Sequence, residues 1–438
     1  MRKPVSDQVV VITGASSGIG RATALAFAAR GARVVCAART TQALDSLVEQ
    51  ITAAGGTAVA VPTDVADPEA VTALAKAAEQ RFGRIDTWVN NAAVGIWGRV
   101  EDISGPEFER VMRVNFLGQL YGIKAALPAL RRAGGGTVIG VVSAEGVRSV
   151  PLQAPYTASK FAVRALHDSL RSELAQEGAP ITVTTILPAS INTPFFEHAR
   201  SKLGSMAKPP PPVYAPELVA DTIVYAAEHP RREISVGGAA AAFGLAQRLA
   251  PALTDAVLGV RRLGRGTQQT PRPDTRTDNV DTPAGDPGRL HGAHPGLVLK
   301  HSPYTTWLGR RRRPGELLLP PSLAADRPTP RRLVTAAVAR TAWAGTLLLA
   351  ARTVLRPPAP RGAPTAARIL AARHLLQAAT TAARPTPAIT ATGLLIDTLH
   401  ATTDLAAATL APSWRRIALI DATATAALAA LTRHLHRR

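Results

Sequence analysis

The chain is poor in cysteine: Cys36 stands alone among 438 residues. One thiol excludes any disulfide within the chain and fits a reducing compartment. Cys36 lies inside the apolar run ARVVCAAR, where it reads as a small core residue. The N-terminus, MRKPVSDQVVVITG, has no long apolar stretch with a cleavage site, so no secretory signal is expected and the reading is cytoplasmic. Acidic residues are scarce in the second part of the chain. Residues 261–438 hold nine Asp and Glu against 26 Lys and Arg, whereas residues 1–260 hold 22 against 25. The net charge of +20 therefore sits almost wholly in the tail, where Lys300 is the sole lysine. A basic tail suggests anionic lipid or nucleic acid as a partner. This one has no interleaved aromatics and no nucleic-acid motif, and its arginines flank apolar helices, which argues against nucleic acid. No short-period repeat is present, so the chain is not read as a repeat array.

The first half is an alternation. The strand-like runs QVVVITG, ARVVCAAR, TAVAVPTDV, IDTWVNNAA, TVIGVVSA, ITVTTILPA and REISVGG are separated by helical segments at about 18–29, 41–54, 68–82, 106–132 and 155–177. That order predicts an α/β domain over 1–260, a doubly wound, Rossmann-like parallel sheet of about seven strands covered by helices on both faces. Residues 261–330 turn to Pro, Gly, Asp, Thr and Arg and read as a linker or loosely draped extension, with HGAHPGLVLKHSPYTTWLGRRRR able to fold back as an arm. Residues 331–438 predict an apolar all-α module of about four helices, at 333–355, 366–383, 387–411 and 415–434.

Two motifs carry chemistry. TGASSGIG, residues 13–20, falls where the first strand passes to the first helix. Gly14, Gly18 and Gly20 let backbone approach a pyrophosphate, and the helix start offers N–H donors with a partial positive charge. In QAPYTASK, Tyr156 precedes Lys160 by four residues, so a helix would put both on one face. An ammonium about 4 Å from a phenol favours the phenolate by up to ~4 kcal/mol at an effective dielectric near 20. That lowers the tyrosine pKa by up to ~3 units and makes a general acid or base of it.

TGASSGIG, Asp64, the NNAA at 90–93, Asn115, Ser143, YTASK and PASINTP follow one another in the order and spacing of the short-chain dehydrogenases/reductases. The chain resembles that family over about residues 6–240. The resemblance implies a tetrad: Ser143 holding the substrate oxygen, Tyr156 exchanging the proton, Lys160 depressing the tyrosine pKa and binding the nicotinamide ribose, and Asn115 holding a water in the proton path. It implies cofactor contacts from Gly14, Ser16, Ser17, Gly18, Ile19 and Gly20. Further contacts fall to Asp64 and Val65 near the adenine, to Asn91, Ala92 and Pro188, and to Thr193 at the carboxamide. Ala93 and Ala189 replace glycines common in the family. The second strand ends in Ala38-Arg39-Thr40 with no acidic residue to bond both ribose hydroxyls of NAD, and Arg39 suits the 2′-phosphate of NADP. NADP(H) is the expected cofactor, NAD less so, and the substrate a small carbonyl or alcohol. The family commonly forms homo-oligomers.

Segment 193–217 falls where the family places its substrate lid. Phe195 and Phe196 either touch an apolar substrate or pack on their own domain. HARSKLG and AEHPRREISVGG are also similar to phrases in bacterial oxidoreductases of unassigned substrate. The C-terminal module resembles actinobacterial membrane-associated helical proteins in its ARHLLQA…DTLHA pattern. Within it, 333–351 has 19 residues and a single charge, Arg340, long enough to span a membrane and hold the enzyme at its inner face. Asp397, His400 and Asp404 share a helical face, with Arg373, His374 and Asp421 on neighbouring segments. Pairing among these groups in a bundle is expected, rather than a metal site. A rival reading of the whole chain is a nucleotide-binding, membrane-tethered scaffold or sensor with little catalysis.

Overall fold

The computed structural model describes residues 3–260, nearly all of 264–310, 330–349 and 415–437, and scattered positions between 370 and 404. It divides into two compact units, Met1–Gly309 and Arg310–Arg438.

The first unit is built on seven strands: β1 (Val9–Thr13), β2 (Arg33–Ala38), β3 (Thr57–Pro62), β4 (Thr87–Asn90), β5 (Gly136–Val141), β6 (Ile181–Pro188) and β7 (Glu233–Val236). They pair in parallel in the order β7-β6-β5-β4-β1-β2-β3. The order reverses between β1 and β4, and the crevice at such a switch point is where doubly wound sheets bind ligands. All five residues of β1 are buried, as a strand covered on both faces requires. Alternate residues feed opposite layers: Val10 and Ile12 join Phe27, Leu44 and Leu47 on one side, and Val11 joins Leu74, Trp88 and Ile123 on the other. Cys36 sits in the first layer, its thiol pushed up to about 12 by burial, an inert core group.

Local chemistry sets the helix ends. The helix Pro68–Phe82 starts on Asp67, whose side chain accepts from Glu69 N, has Pro68 in its first turn, and stops at Gly83 in the left-handed region at φ 79°. The expected single helix over 106–132 is broken instead. Gly105–Met112 opens on a capping box of Ser104 and Glu107, Arg113–Leu117 widens into a π-helical turn, and Gly118–Arg132 completes the run. The helix carrying Tyr156 and Lys160 spans Ala154–Gln176.

Residues beyond 264 contribute to the first unit. Gln269–Pro273 pairs antiparallel with Ser205–Ala207, and Val298–Leu299 extends a small parallel sheet with Val213–Tyr214 and Ser190–Ile191.

In the second unit, helices Pro330–Leu349 and Arg415–Arg437 pack together. The helices expected at 366–383 and 387–411 lie mostly outside the described residues. The membrane-spanning expectation for 333–351 is not supported: no helix among the described residues is long and apolar enough to cross a membrane. The described helix Pro330–Leu349 carries Arg331, Arg332 and Arg340 among alanines and threonines, which lowers its mean hydropathy. Arg340 is buried and paired with the equally buried Asp397. His400 Nε2 lies 2.6 Å from Asp421 and 3.2 Å from Asp404, and Trp343 Nε1 donates to Asp421 at 3.2 Å. The three ligand-type residues His400, Asp404 and Asp421 thus lie together.

Candidate active site

A cavity of about 530 Å³ runs along the carboxyl ends of the strands. The glycine-rich turn after β1 forms one end of it. Gly14 has φ +67°, and a Cβ there would stand 2.7 Å from Ala92 Cα. Gly18 has φ +52°, and at Gly20 a Cβ would meet Gly14 O at 2.0 Å. Side chains are excluded at all three, leaving a bare backbone cradle at the start of the helix Gly18–Ala28. Gly14, Ser16, Ser17, Gly18 and Ile19 line the cavity, and so do Arg39, Asp64, Val65, Asn91, Ala92, Pro188 and Thr193. Gly20 is not on the wall and serves close packing of the turn. Asn91 ties the end of β4 to the end of β1, its Nδ2 donating to Thr13 O and Gly14 O at 3.1 Å. Asp64 pairs with Arg110 at 3.3 Å.

At the other end, Ser143, Tyr156 and Lys160 come together. Ser143 follows β5, and its hydroxyl lies near enough to the phenol to pull the phenol's pKa down. Lys160 is buried, donates from Nζ to Val141 O at 3.0 Å, and lies 5.3 Å from the Tyr156 ring centroid. The expected depression of the tyrosine pKa is not found. The exposed part of Tyr156 faces the cavity, where protein still surrounds the hydroxyl. Burial, then the carboxyl of Glu145, push the phenol well above its ordinary value, against the pull of the Ser143 hydroxyl. Lys160 itself is lowered to about 7 by burial, with Glu145 opposing, so its charge is only partial near neutrality. A helical i,i+4 spacing fixes proximity. It does not reveal how much low-dielectric protein surrounds both groups.

Asn115 sits in the π-helical turn, off the cavity wall. Its Oδ1 accepts from Val94 N at 2.8 Å and its Nδ2 donates to Val94 O at 2.9 Å and Ser159 Oγ at 3.1 Å. Phe195 and Phe196 pack within their own domain. Both line the cavity. Phe195 lies 5.5 Å from the Tyr156 ring and 5.8 Å from Trp97, and Phe196 5.6 Å from Trp97.

The run read as linker or arm follows the cavity mouth. Both terminal nitrogens of Arg39 donate to carbonyls there, those of Asn279 and Asp281. Gly18 N donates to Arg289 O at 3.0 Å, and Gly292 N to Asn192 O at 3.3 Å. Arg200 holds this strap through Asp278 at 2.9 Å and Asp281 at 2.7 Å. These two acids were a signal available in the sequence, since the tail has so few. Sequence reasoning also passed over Glu145, Gln153 and Gln268, which join the wall beside Tyr156.

The signature of short chain dehydrogenases matches residues 8–204. The oxidoreductase YxnA of Bacillus subtilis, itself uncharacterised, is 40% identical over 306 residues, 69% of this chain and 85% of YxnA. Dehydrogenase/reductase SDR family member 7B of Bos taurus is 36% identical over 53% of this chain and 74% of its own length. The crystal structure of a short-chain dehydrogenase/reductase from Burkholderia phymatum in complex with NAD superposes with a TM-score of 0.52 at 28% identity, covering 57% of this chain and 96% of that one. These matches do not confirm the actinobacterial likeness of the C-terminal module. With the nucleotide cradle and the Ser143–Tyr156–Lys160 group already at opposite ends of one cavity, they place the chain among the short-chain dehydrogenases/reductases, as an oxidoreductase of that family.

Proposed function

We propose that the protein is an NADP(H)-preferring oxidoreductase that moves a hydride between nicotinamide and a small carbonyl or alcohol, with Tyr156 as the general acid and base. One observation carries this reading: the Ser143–Tyr156–Lys160 group opens onto the same cavity as a side-chain-free glycine cradle and an arginine just past β2. The cradle fits a dinucleotide because its backbone at Gly14 and Gly18 lines the cavity without a side chain, at the start of the helix Gly18–Ala28. Gly14, Ser16, Ser17, Gly18 and Ile19 would hold its phosphates, Asp64 and Val65 its adenine end, and Lys160 and Thr193 its nicotinamide end. The cofactor, when bound, supplies or accepts the hydride.

The protein's own groups manage the proton. Ser143 and Tyr156 hold the substrate oxygen between two hydroxyls. A phenol raised above its usual pKa stays protonated at neutral pH, so the site rests ready to donate, as carbonyl reduction requires. Lys160 offsets the negative charge that appears on the phenol oxygen as its proton leaves. Asn115 braces the Val94 backbone against the Tyr156-bearing helix, and a second lone pair on its Oδ1 is an acceptor for a relay water. Arg39 supports NADP(H) because no acidic residue stands at its position to claim a ribose 2′-hydroxyl.

The test is oxidation of NADPH and of NADH by the purified full chain with a panel of aldehydes and ketones. Turnover with NADPH above NADH is expected. No turnover with either cofactor removes the catalytic reading, and a preference for NADH removes the cofactor assignment.

A further inference from the structure

Beyond the residues given roles above, the cavity wall is mostly carbon: Val150, Phe195, Phe196, Phe243, Val257 and Leu258. Two lining residues are acidic, Asp64 and Glu145, and Asp64 is paired with Arg110. Glu145 sits two residues past Ser143, and its backbone N–H donates to Ser143 Oγ at 3.0 Å. Its carboxyl is thereby held beside the hydroxyl that meets Tyr156. Oε1 accepts from Gln153 Nε2 at 3.3 Å. Oε2 is shut off from solvent with no hydrogen-bond partner among the described residues.

The surroundings are built to hold this carboxyl but do not complete it. Gln153 Nε2 also donates to Gln268 Oε1 at 2.7 Å, which accepts from Trp97 Nε1 at 3.2 Å. Gln268 Nε2 donates to Gly264 O at 2.6 Å and to Pro151 O at 3.1 Å. The relay runs from the strap into the wall and is fixed at each member. The nearby cation, Lys160, directs a hydrogen bond to Val141 O. A carboxyl oxygen left without a partner is unfavourable, and because Glu145 lines the cavity, a small turn of its side chain would bring that oxygen to a group entering there.

We propose that Glu145 anchors a hydrogen-bond-donating substituent of the substrate, a hydroxyl or an ammonium, carried a few bonds from the reacting carbonyl on an otherwise apolar body. This rests on the reading of the cavity as an oxidoreductase site and names the substrate class that site takes. Burial pushes the Glu145 carboxyl up to about 8, while Gln153 and Lys160 pull it down. Near neutrality it is largely protonated, able to donate from one oxygen and accept on the other, which suits a hydroxyl. An ammonium would draw it back into the carboxylate form. The aromatic and aliphatic wall would receive the body of the molecule, and the reacting carbonyl would lie at Ser143 and Tyr156.

The experiment compares kcat/KM for matched ketones that carry no donor, a hydroxyl or an amine, in wild type, Glu145→Leu and Glu145→Gln. Wild type should favour a donor-bearing ketone over its unsubstituted partner by about tenfold or more, the effect of leaving one buried polar group unpaired. Glu145→Leu should erase that ratio. Glu145→Gln should keep the preference for hydroxyl and lose that for amine. Unchanged ratios in Glu145→Leu overturn the proposal, and if that variant does not fold, the split between hydroxyl and amine in Glu145→Gln decides. If wild type turns over no ketone at all, the hydride-transfer reading fails separately. The same compounds are then scored by thermal midpoint with NADPH present. A rise specific to donor-bearing compounds in wild type and missing in Glu145→Leu sustains the anchor, and no donor-specific rise overturns it.

Discussion

Replacing Tyr156 with Phe removes one oxygen and keeps the ring. The ring packs 5.5 Å from Phe195, and the oxygen lies near the Ser143 hydroxyl. Losing at most one hydrogen bond at a half-buried site costs no more than about 0.5–1.5 kcal/mol, so the variant should fold with a thermal midpoint within several degrees of wild type. The catalytic effect should be far larger. Without a phenolic proton the developing oxyanion has only Ser143, and a positioned acid contributes ~10²–10⁴-fold, or about 3–5 kcal/mol of barrier. Turnover of a ketone with NADPH should therefore fall by two decades or more, with NADPH affinity retained, because Lys160 keeps its bond to Val141 O. The assay pairs steady-state NADPH oxidation with cofactor titration and thermal melting on the same preparation. Near-normal turnover refutes the assignment of Tyr156, whatever its neighbours do. Equal losses of turnover, cofactor affinity and stability would also refute the reasoning, by showing that the hydroxyl is structural.

Three further outcomes are expected. Arg39→Asp should lower NADPH affinity by about 2 kcal/mol or more if a 2′-phosphate pairs with the guanidinium, and should spare NADH. Arg39 also holds the carbonyls of Asn279 and Asp281, so an equal loss for both cofactors would identify it as a strap anchor only. Gly20→Ala should lower the thermal midpoint and weaken cofactor binding together, because its Cβ would stand 2.0 Å from Gly14 O and backbone must move; an unchanged midpoint with unchanged affinity contradicts this. His167 is buried with Nδ1 3.0 Å from Thr185 Oγ1, and burial, then Arg171 and Lys160, lower its pKa from 6.5 to about 3. The unfolded chain takes up this proton first, so the contribution is present above pH 6.5 and lost as pH falls toward 3. That is about 1.4 kcal/mol per pH unit, or roughly 2 kcal/mol between pH 6.5 and 5 in denaturant titrations. His167→Gln should flatten that slope, and an unaltered slope would assign it to other groups.

The sequence by itself determined the seven strands and their class, because β1 to β7 are short apolar runs whose pattern is local and whose alternation with helices leaves few topologies. It determined the nucleotide cradle for the same reason: Gly14, Gly18 and Gly20 meet a steric demand within eight residues of chain. It brought Tyr156 and Lys160 to one helix face. Tertiary structure decided everything that depends on surroundings. The Tyr156 pKa rises because protein from several elements displaces water from the phenol, and no spacing along one helix records that. Arg340 was read as the single charge of a run able to span a membrane, whereas its partner Asp397, 57 residues further on, makes it part of a buried pair. The strap was legible as composition only. Its role at the cavity mouth comes from Arg200, Arg39 and Gly18, which lie 78 to 271 residues before their partners Asp278, Asn279 and Arg289. Glu145 drew no notice between two conspicuous motifs, since an unpartnered carboxyl oxygen exists only once Gln153, Gln268 and the aromatic wall have closed around it. Burial and pairing are sums over contacts distant in the chain, and only folding brings those contacts into being.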